Sequence, residues 1–211
     1  MNSRWKLLAP ILVILFPVIF WLLLTRGHNE FKKLPVVSPY EVDAKGDTSY
    51  HTIPPFQFTN QQGKVVSSSD LNGKIYLANF FFATCKTICP KMNEQVKRVQ
   101  DAFKGQKDFQ IISFTVDPDN DSVEALAAYA KNMGADNSLW WFLTGNKDSI
   151  YALARNGFLV PAAIGASGDF FHSQDLMLID KENRMRGLYD GTEPNEVDTL
   201  IDEIKVLFAE Y

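Results

Sequence analysis

Cysteine and histidine are scarce in this chain of 211 residues. Cys85 and Cys89 are its two cysteines, and His28, His51 and His172 its three histidines. So few thiols exclude the disulfide framework that staples small exported domains, and they leave a close pair whose economy points to chemistry. Positive charge is not in excess either. Lys and Arg number 21 against 25 Asp and Glu, a formal net charge of -4. No basic patch stands ready to displace counterions from phosphates, so nucleic acid is excluded as a partner. There is no internal repeat and no low-complexity tract, and a hydrophobic content of 46% is normal for one packed domain with a small appendage.

One long uncharged run is present, LLAPILVILFPVIFWLLL from Leu7 to Leu24, 18 residues. As a helix it rises about 27 Å, just enough to cross a bilayer core. Pro10 and Pro17 are tolerated in such a segment, and Trp5 and Trp21 suit its two interfaces. The following TRGHNE has no A-x-A-like cleavage site, and no cysteine follows the run to accept a lipid. The expectation is a transmembrane anchor over 7–24 behind a short cytoplasmic stretch, 1–6. Basic residues flank the run on both sides, so their count does not orient it. A cysteine pair suits an oxidising exterior or a metal site, which favours an extracytoplasmic domain, on the periplasmic side in a bacterium.

Residues 25–52 mix charges, prolines and short apolar pieces without a sustained period and read as a linker in which His28 and His51 are solvated. The domain is expected over 53–211. It opens with a hairpin around Gly63. IYLANFFFA (75–83) and FQIISFTVD (109–117) are continuous apolar runs, the signature of strands buried on both faces. A helix with Pro90 in its first turn follows the first run. A helix opened by a capping box of Asp121 and Glu124 follows the second. LWWFLTG supplies a third strand, Asn146 caps the next helix and Gly157 ends it. An antiparallel hairpin over Glu182 and Asn183 and a helix opened by Thr192 complete the chain. Strand and helix alternate as in a parallel sheet. The predicted fold class is α/β: a central mixed sheet with flanking helices and an N-terminal β-hairpin, the thioredoxin pattern. Trp140, Trp141 and Phe80 to Phe82 read as core, and Lys181, Arg184 and Arg186 as a solvated hairpin or a docking edge.

The segment FFFATCKTICP puts Cys85 and Cys89 in C-x-x-x-C spacing where a buried strand meets a helix N-terminus, the place where open α/β sheets hold ligands. Such a terminus favours the thiolate, which both a metal ligand and a redox nucleophile require. Residues four apart on a helical turn lie about 6 Å apart, so the pair can bridge or chelate. His172, in GDFFHSQDLMLID, precedes a strand whose leading loop faces the cysteines in a thioredoxin-like fold. Two thiolates and an imidazole suit Cu(I), tolerate Cu(II) with a further ligand, and would accept zinc.

In order, GKVVSSSDLNGK, FFFATCKTICPKM, FTVDPDNDSVEALAAYA and FHSQDLMLIDKENRMRGLYDGT make the sequence resemble the Sco/SenC family of copper proteins over nearly the whole soluble domain. The resemblance implies one copper ion, Cu(I) or Cu(II), held by Cys85, Cys89 and His172, with Asp117 as an acidic neighbour that tunes or transiently ligates it. It implies copper delivery to the dinuclear copper centre of cytochrome c oxidase subunit II, or reduction of that subunit's cysteines. Further partners in that reading are another copper chaperone or a thiol-disulfide reductase, besides the membrane that holds the N-terminal helix. The rival readings are a membrane-anchored thiol-disulfide oxidoreductase using Cys85 and Cys89 without metal, and a thiol peroxidase. The chain departs from the pattern in its lengthened tract from Pro161 to Gly168.

Overall fold

The two long apolar runs form adjacent parallel strands. In the computed structural model, which describes residues 15–17, 20, 33–160 and 174–211, β5 is Ile75–Phe81 and β6 is Phe109–Thr115, paired from Ile75 with Phe109 to Phe81 with Thr115. The seven-stranded sheet runs β4-β3-β7-β6-β5-β8-β9, with β3 Gln57–Asn60, β4 Val65–Ser67, β7 Trp140–Thr144, β8 Asp175–Ile179 and β9 Met185–Asp190. Strands β5, β6 and β7 are parallel, while β3, β4, β8 and β9 are antiparallel to their neighbours. This is the expected mixed sheet, and β3 with β4 is the expected hairpin around Gly63.

Alternation along the strands builds two cores. Ile75, Leu77 and Phe81 with Phe109 and Ile111 face helices α1 (Ile88–Ala102), α2 (Val123–Met133) and α4 (Pro194–Ala209), meeting Met92, Val96, Leu126 and Ile204. Tyr76, Ala78 and Phe80 with Ile112 and Phe114 face Phe58, Val66 and α3 (Lys147–Ala152). Every residue of β5 and β6 is buried, which is why these runs carry no solvent-facing polar alternation. Two polar residues inside them satisfy one another. Ser113 donates to Asn79 at 2.6 Å, Trp140 Nε1 donates to Ser113 at 2.8 Å, and the Asn79 amide reaches the Met92 sulfur at 3.8 Å. The chain of contacts ties three strands to α1 beneath the cysteine pair.

The caps differ from expectation in one informative place. Ser122, not Asp121, is the N-cap of α2 and accepts the Ala125 N–H. Asp121 is buried and turned inward. Asn146 caps α3 through the Ser149 N–H, and a π-turn, Leu153–Gly157, ends that helix at the predicted glycine. Helix α4 opens one residue later than expected, with Glu193 as N-cap and Pro194 in the first turn, where its missing N–H costs nothing.

Residues 33–52, read as the end of the linker, belong to the compact unit Lys33–Tyr211. Strand β1 (Tyr40–Val42) pairs with β2 (Thr48–Tyr50), the Val37 N–H donates to Met185 O at 2.8 Å, and the Met185 N–H donates to Ser38 Oγ at 3.0 Å. His51 is half-buried rather than solvated, with Nε2 2.8 Å from Gly157 O. Short apolar pieces without period were docking onto an existing sheet edge, which leaves no periodic signal. Residues 15–17 and 20, in the separate unit Met1–Lys32, are helical. The predicted anchor over 7–24 otherwise lies outside the described residues, as do 1–6, the linker up to residue 32 with His28, and residues 161–173, which include the whole tract from Pro161 to Gly168. Among the described residues no helix is long and apolar enough to cross a membrane.

Candidate metal centre

Where β5 ends, the chain turns over Phe82 to Thr87 and enters α1. Cys85 sits in that turn, with its N–H donating to Phe82 O at 3.2 Å, and Cys89 is the second residue of the helix. Thr87 is the N-cap but makes no side-chain cap bond. The sulfur of Cys85 takes that place, accepting the Cys89 N–H at 3.4 Å and lying 3.8 Å from the Thr87 hydroxyl. Helix starts carry orphan N–H donors and a partial positive charge, so a sulfur accepting one of them is favoured as an anion.

The two thiols are therefore unlike. Burial works against the Cys85 thiolate, but the N–H groups of Cys89 and Thr87, helped by their side chains, outweigh it and hold the thiol down at about 7. Burial pushes Cys89 up to about 12, against the Phe82 backbone and with the help of Cys85 beside it. Both thiols are free. In the metal-free reduced chain, alkylation of Cys85 should rise with pH and level off above about 7, falling about tenfold per unit below it, as the thiolate is the reacting form. Cys89 should stay unmodified throughout the neutral range. Mass-mapped iodoacetamide labelling from pH 5 to 9 checks both, and equal labelling of the two sulfurs would contradict this asymmetry.

Asp117 and Asp121 stand on the neighbouring loop. Both Asp117 oxygens accept from the Asn120 amide, at 2.9 and 3.2 Å, and its carbonyl accepts the N–H groups of Asn120 and Asp121. Asp117 thus builds the turn. Asp121 reaches the cysteine loop directly, because one of its oxygens accepts the Ala83 N–H at 3.0 Å and the Thr115 hydroxyl. Burial raises its pKa, opposed by those two bonds, and Asp117 adds to the rise. Sequence reasoning had spent Asp121 on a helix cap. The adjacent Ser122, an equally good cap, was the signal that Asp121 was free for something else.

His172 lies outside the described residues, and among the described residues no three His, Cys, Asp or Glu side chains gather as a metal site. The chain returns at Gln174, just before β8. Strand β8 runs antiparallel to β5, from Tyr76 opposite Ile179 to Ala78 opposite Met177, so the beginning of β8 lies toward the cysteine end of β5. Gly191 reports how close that end comes to α1. A Cβ there would fall 2.8 Å from Met92 Cγ, 2.9 Å from Gln174 O and 2.9 Å from Leu176 Cγ. Only glycine permits that approach. Gly191 thus lies close both to the chain at residue 174 and to Met92, in the turn of helix that follows Cys89.

The comparisons with known proteins agree. The profile of the SCO1/SenC family matches residues 44–209. The SCO1 protein homolog of Bacillus subtilis is 34% identical over 163 residues, covering 75% of this chain and 84% of that protein. Among solved structures, BsSco, described as a member of the Sco family of cytochrome c oxidase assembly proteins in which a disulfide switch was identified, superposes with a TM-score of 0.67 at 32% identity, covering 76% of this chain and 95% of that one. Arabidopsis thaliana ScoI, solved with copper bound, superposes with a TM-score of 0.62 at 26% identity, covering 75% and 98%. A mixed sheet of the thioredoxin type, a C-x-x-x-C pair at the strand-to-helix turn and a profile match over most of its length establish that this chain belongs to the SCO1/SenC family.

Proposed function

We propose that the chain is a membrane-anchored copper carrier for the assembly of the dinuclear copper centre of cytochrome c oxidase subunit II, holding one copper ion on Cys85, Cys89 and His172. The observation that carries this reading is the paired sulfurs at the start of α1, one already favoured as thiolate, with β8, which opens three residues after His172, beginning at the end of the sheet where β5 finishes. Two thiolates and an imidazole are a soft to borderline donor set that suits Cu(I) and tolerates Cu(II). Copper-bound relatives such as Arabidopsis ScoI support the cargo, and the description of BsSco supports the assembly role.

The unequal thiols suggest an order of events. Cys85 captures the ion first, and Cys89 must lose its proton to complete the site, so loading at pH 7 releases one proton from Cys89 and about half of one from Cys85 per copper. On delivery, a partner thiolate replaces Cys89 on the ion, and Cys89 takes up the proton that the partner thiol gave up. The high proton affinity of Cys89 favours that release. Asp117 and Asp121 act outside the ligand set, through the turn and through the Ala83 N–H that holds the cysteine loop. The run from Leu7 to Leu24 supplies the anchor, and the cysteine pair favours a domain outside the cytoplasm.

Anaerobic Cu(I) titration of the reduced chain, with X-ray absorption to count neighbours, tests the reading. One equivalent, two sulfurs and one nitrogen are expected. An all-sulfur site bridging two chains, or binding without a defined stoichiometry, would overturn it.

The same asymmetry favours a second reading. A half-buried, low-pKa Cys85 next to a buried, high-pKa Cys89 is the arrangement of an attacking and a resolving thiol. In that reading the chain reduces a disulfide of the oxidase subunit or of another exported protein: Cys85 attacks, Cys89 resolves, and the two electrons leave this chain oxidised as a Cys85–Cys89 disulfide. His172 is then dispensable, whereas copper binding needs it.

A further inference from the structure

The first two strands of the compact unit form a ribbon whose apolar face is bare. Tyr40 lies opposite Tyr50, Glu41 opposite Ser49 and Val42 opposite Thr48. Side chains alternate across a strand, so Tyr40, Val42, Thr48 and Tyr50 share one face, and Glu41 and Ser49 share the other. That pattern belongs to a strand pair with one face covered. Yet every residue of β1 and β2 is exposed, Val42 at 58%, and the Tyr40 and Tyr50 rings stand side by side with centroids 5.8 Å apart. A two-stranded ribbon is marginal by itself, so an aligned apolar face on one calls for a surface to meet it.

The place where the ribbon is rooted indicates that surface. Ahead of it, the Val37 N–H and Ser38 Oγ bind Met185, and behind it the Ile53 N–H donates to Asn183 O at 2.9 Å. Met185 and Asn183 lie where β8 turns into β9, beside the start of β5, since Ile179 is opposite Tyr76 and the Tyr76 hydroxyl donates to Asn183. The cysteine pair follows the other end of β5. The ribbon is therefore rooted at the end of the sheet opposite the sulfurs. Leu34, fastened to the same end through Arg186 and Glu210, stands ten residues after Leu24, at most about 36 Å along a fully extended chain.

We propose that the face of the ribbon formed by Tyr40, Val42 and Tyr50 docks on the lipid surface, seating the domain on the bilayer with the cysteine pair turned away from it. The inference rests on the anchor of the proposed function. Tyrosine suits an interface, because its ring enters the acyl boundary while its hydroxyl stays wet. Charge does not drive the contact, since Glu41, Asp43 and Asp47 outnumber Lys45 in this segment. Three side chains are too few to hold a free protein on a membrane. The anchor makes the contact intramolecular, at an effective concentration of about a millimolar for a short linker. A seated domain offers its sulfurs to partners at a fixed height instead of on a swinging tether.

The full chain is reconstituted in phosphatidylcholine vesicles with the photoreactive p-benzoylphenylalanine in place of Tyr40, Val42 or Val65. Val65 is the matched control, 55% exposed on β4 at the far edge of the sheet. After illumination, lipid adducts are counted by mass spectrometry. Positions 40 and 42 should each give about tenfold more lipid adduct than position 65, and Val42→Glu should cut the yield at position 40 about fivefold. A yield at 40 and 42 under about threefold that at 65, or adducts there to a second copy of the chain in place of lipid, overturns the proposal. Release of the whole chain by alkaline carbonate would sink the anchor reading and the seating with it. A chain that resists carbonate yet gives no excess adduct at 40 and 42 overturns the seating alone.

Discussion

Serine in place of either Cys85 or Cys89 should lower Cu(I) affinity by about two to three orders of magnitude. A site of a few protein ligands worth about 10 to 16 kcal/mol in all loses about 3 to 4 kcal/mol with one of them. A hydroxyl is no substitute, because it is hard where Cu(I) is soft and is not deprotonated near neutrality. The two variants should still differ. With Cys85 gone, α1 loses the sulfur that accepts its Cys89 N–H, so the loop loosens as well; with Cys89 gone, Cys85 keeps its low pKa and its labelling at pH 7. His172→Ala should weaken binding less, since two thiolates already satisfy much of what Cu(I) requires. Competition against a chromophoric Cu(I) chelator measures all three. Unchanged affinity in His172→Ala would remove the imidazole from the site and leave thiol chemistry as the better account.

Arg186→Met should destabilise the fold by about 3 to 5 kcal/mol, the usual consequence of leaving buried partners of an ion pair behind. The Arg186 side chain is 3% exposed and pairs with Asp180, wholly buried, at 3.2 Å and with Glu210 at 2.7 Å. Its Nε also donates to Pro35 O at 3.2 Å and Nη2 to Leu34 O, while the Leu34 N–H donates to Glu210 at 2.7 Å. One guanidinium therefore fastens residues 34–35 to the β8–β9 hairpin and to the end of α4. Arg186→Lys should not rescue it, since a point charge cannot make the same fork of bonds. Lys97→Ala, which breaks the exposed Lys97–Asp101 pair, should cost under about 1 kcal/mol. Chemical denaturation of the three variants gives the comparison, and a loss in Arg186→Met no larger than that in Lys97→Ala would refute the account.

Arg186 also shows what a linear reading misses. On the sequence it is one of three cations in a hairpin, equally good as a solvated edge or a docking surface. Buried partners from residues 34–35 and 210, far away in the chain, give it a different role. The same holds for Asp121, which fits a helix cap locally and is drawn inward by Ala83 and Thr115. In each case the deciding partner is a residue that no local pattern can pair with it.

Signals that depend on neighbours in sequence were legible from the residues alone. Burial on both faces made β5 and β6 continuous apolar runs, turn chemistry marked the hairpins at Gly63 and at Glu182 and Asn183, and the C-x-x-x-C pair before Pro90 marked a strand-to-helix turn. Those features determined the fold class, the family and the candidate sulfurs. Tertiary structure alone decided that Cys85 caps α1 while Cys89 is buried, so that two identical side chains differ widely in proton affinity, and that residues 33–52 pack onto the sheet rather than trail from it. The physical reason is that periodicity and turn propensity are written in adjacent residues, whereas desolvation and hydrogen bonding to a buried group are set by whatever distant chain folds against it.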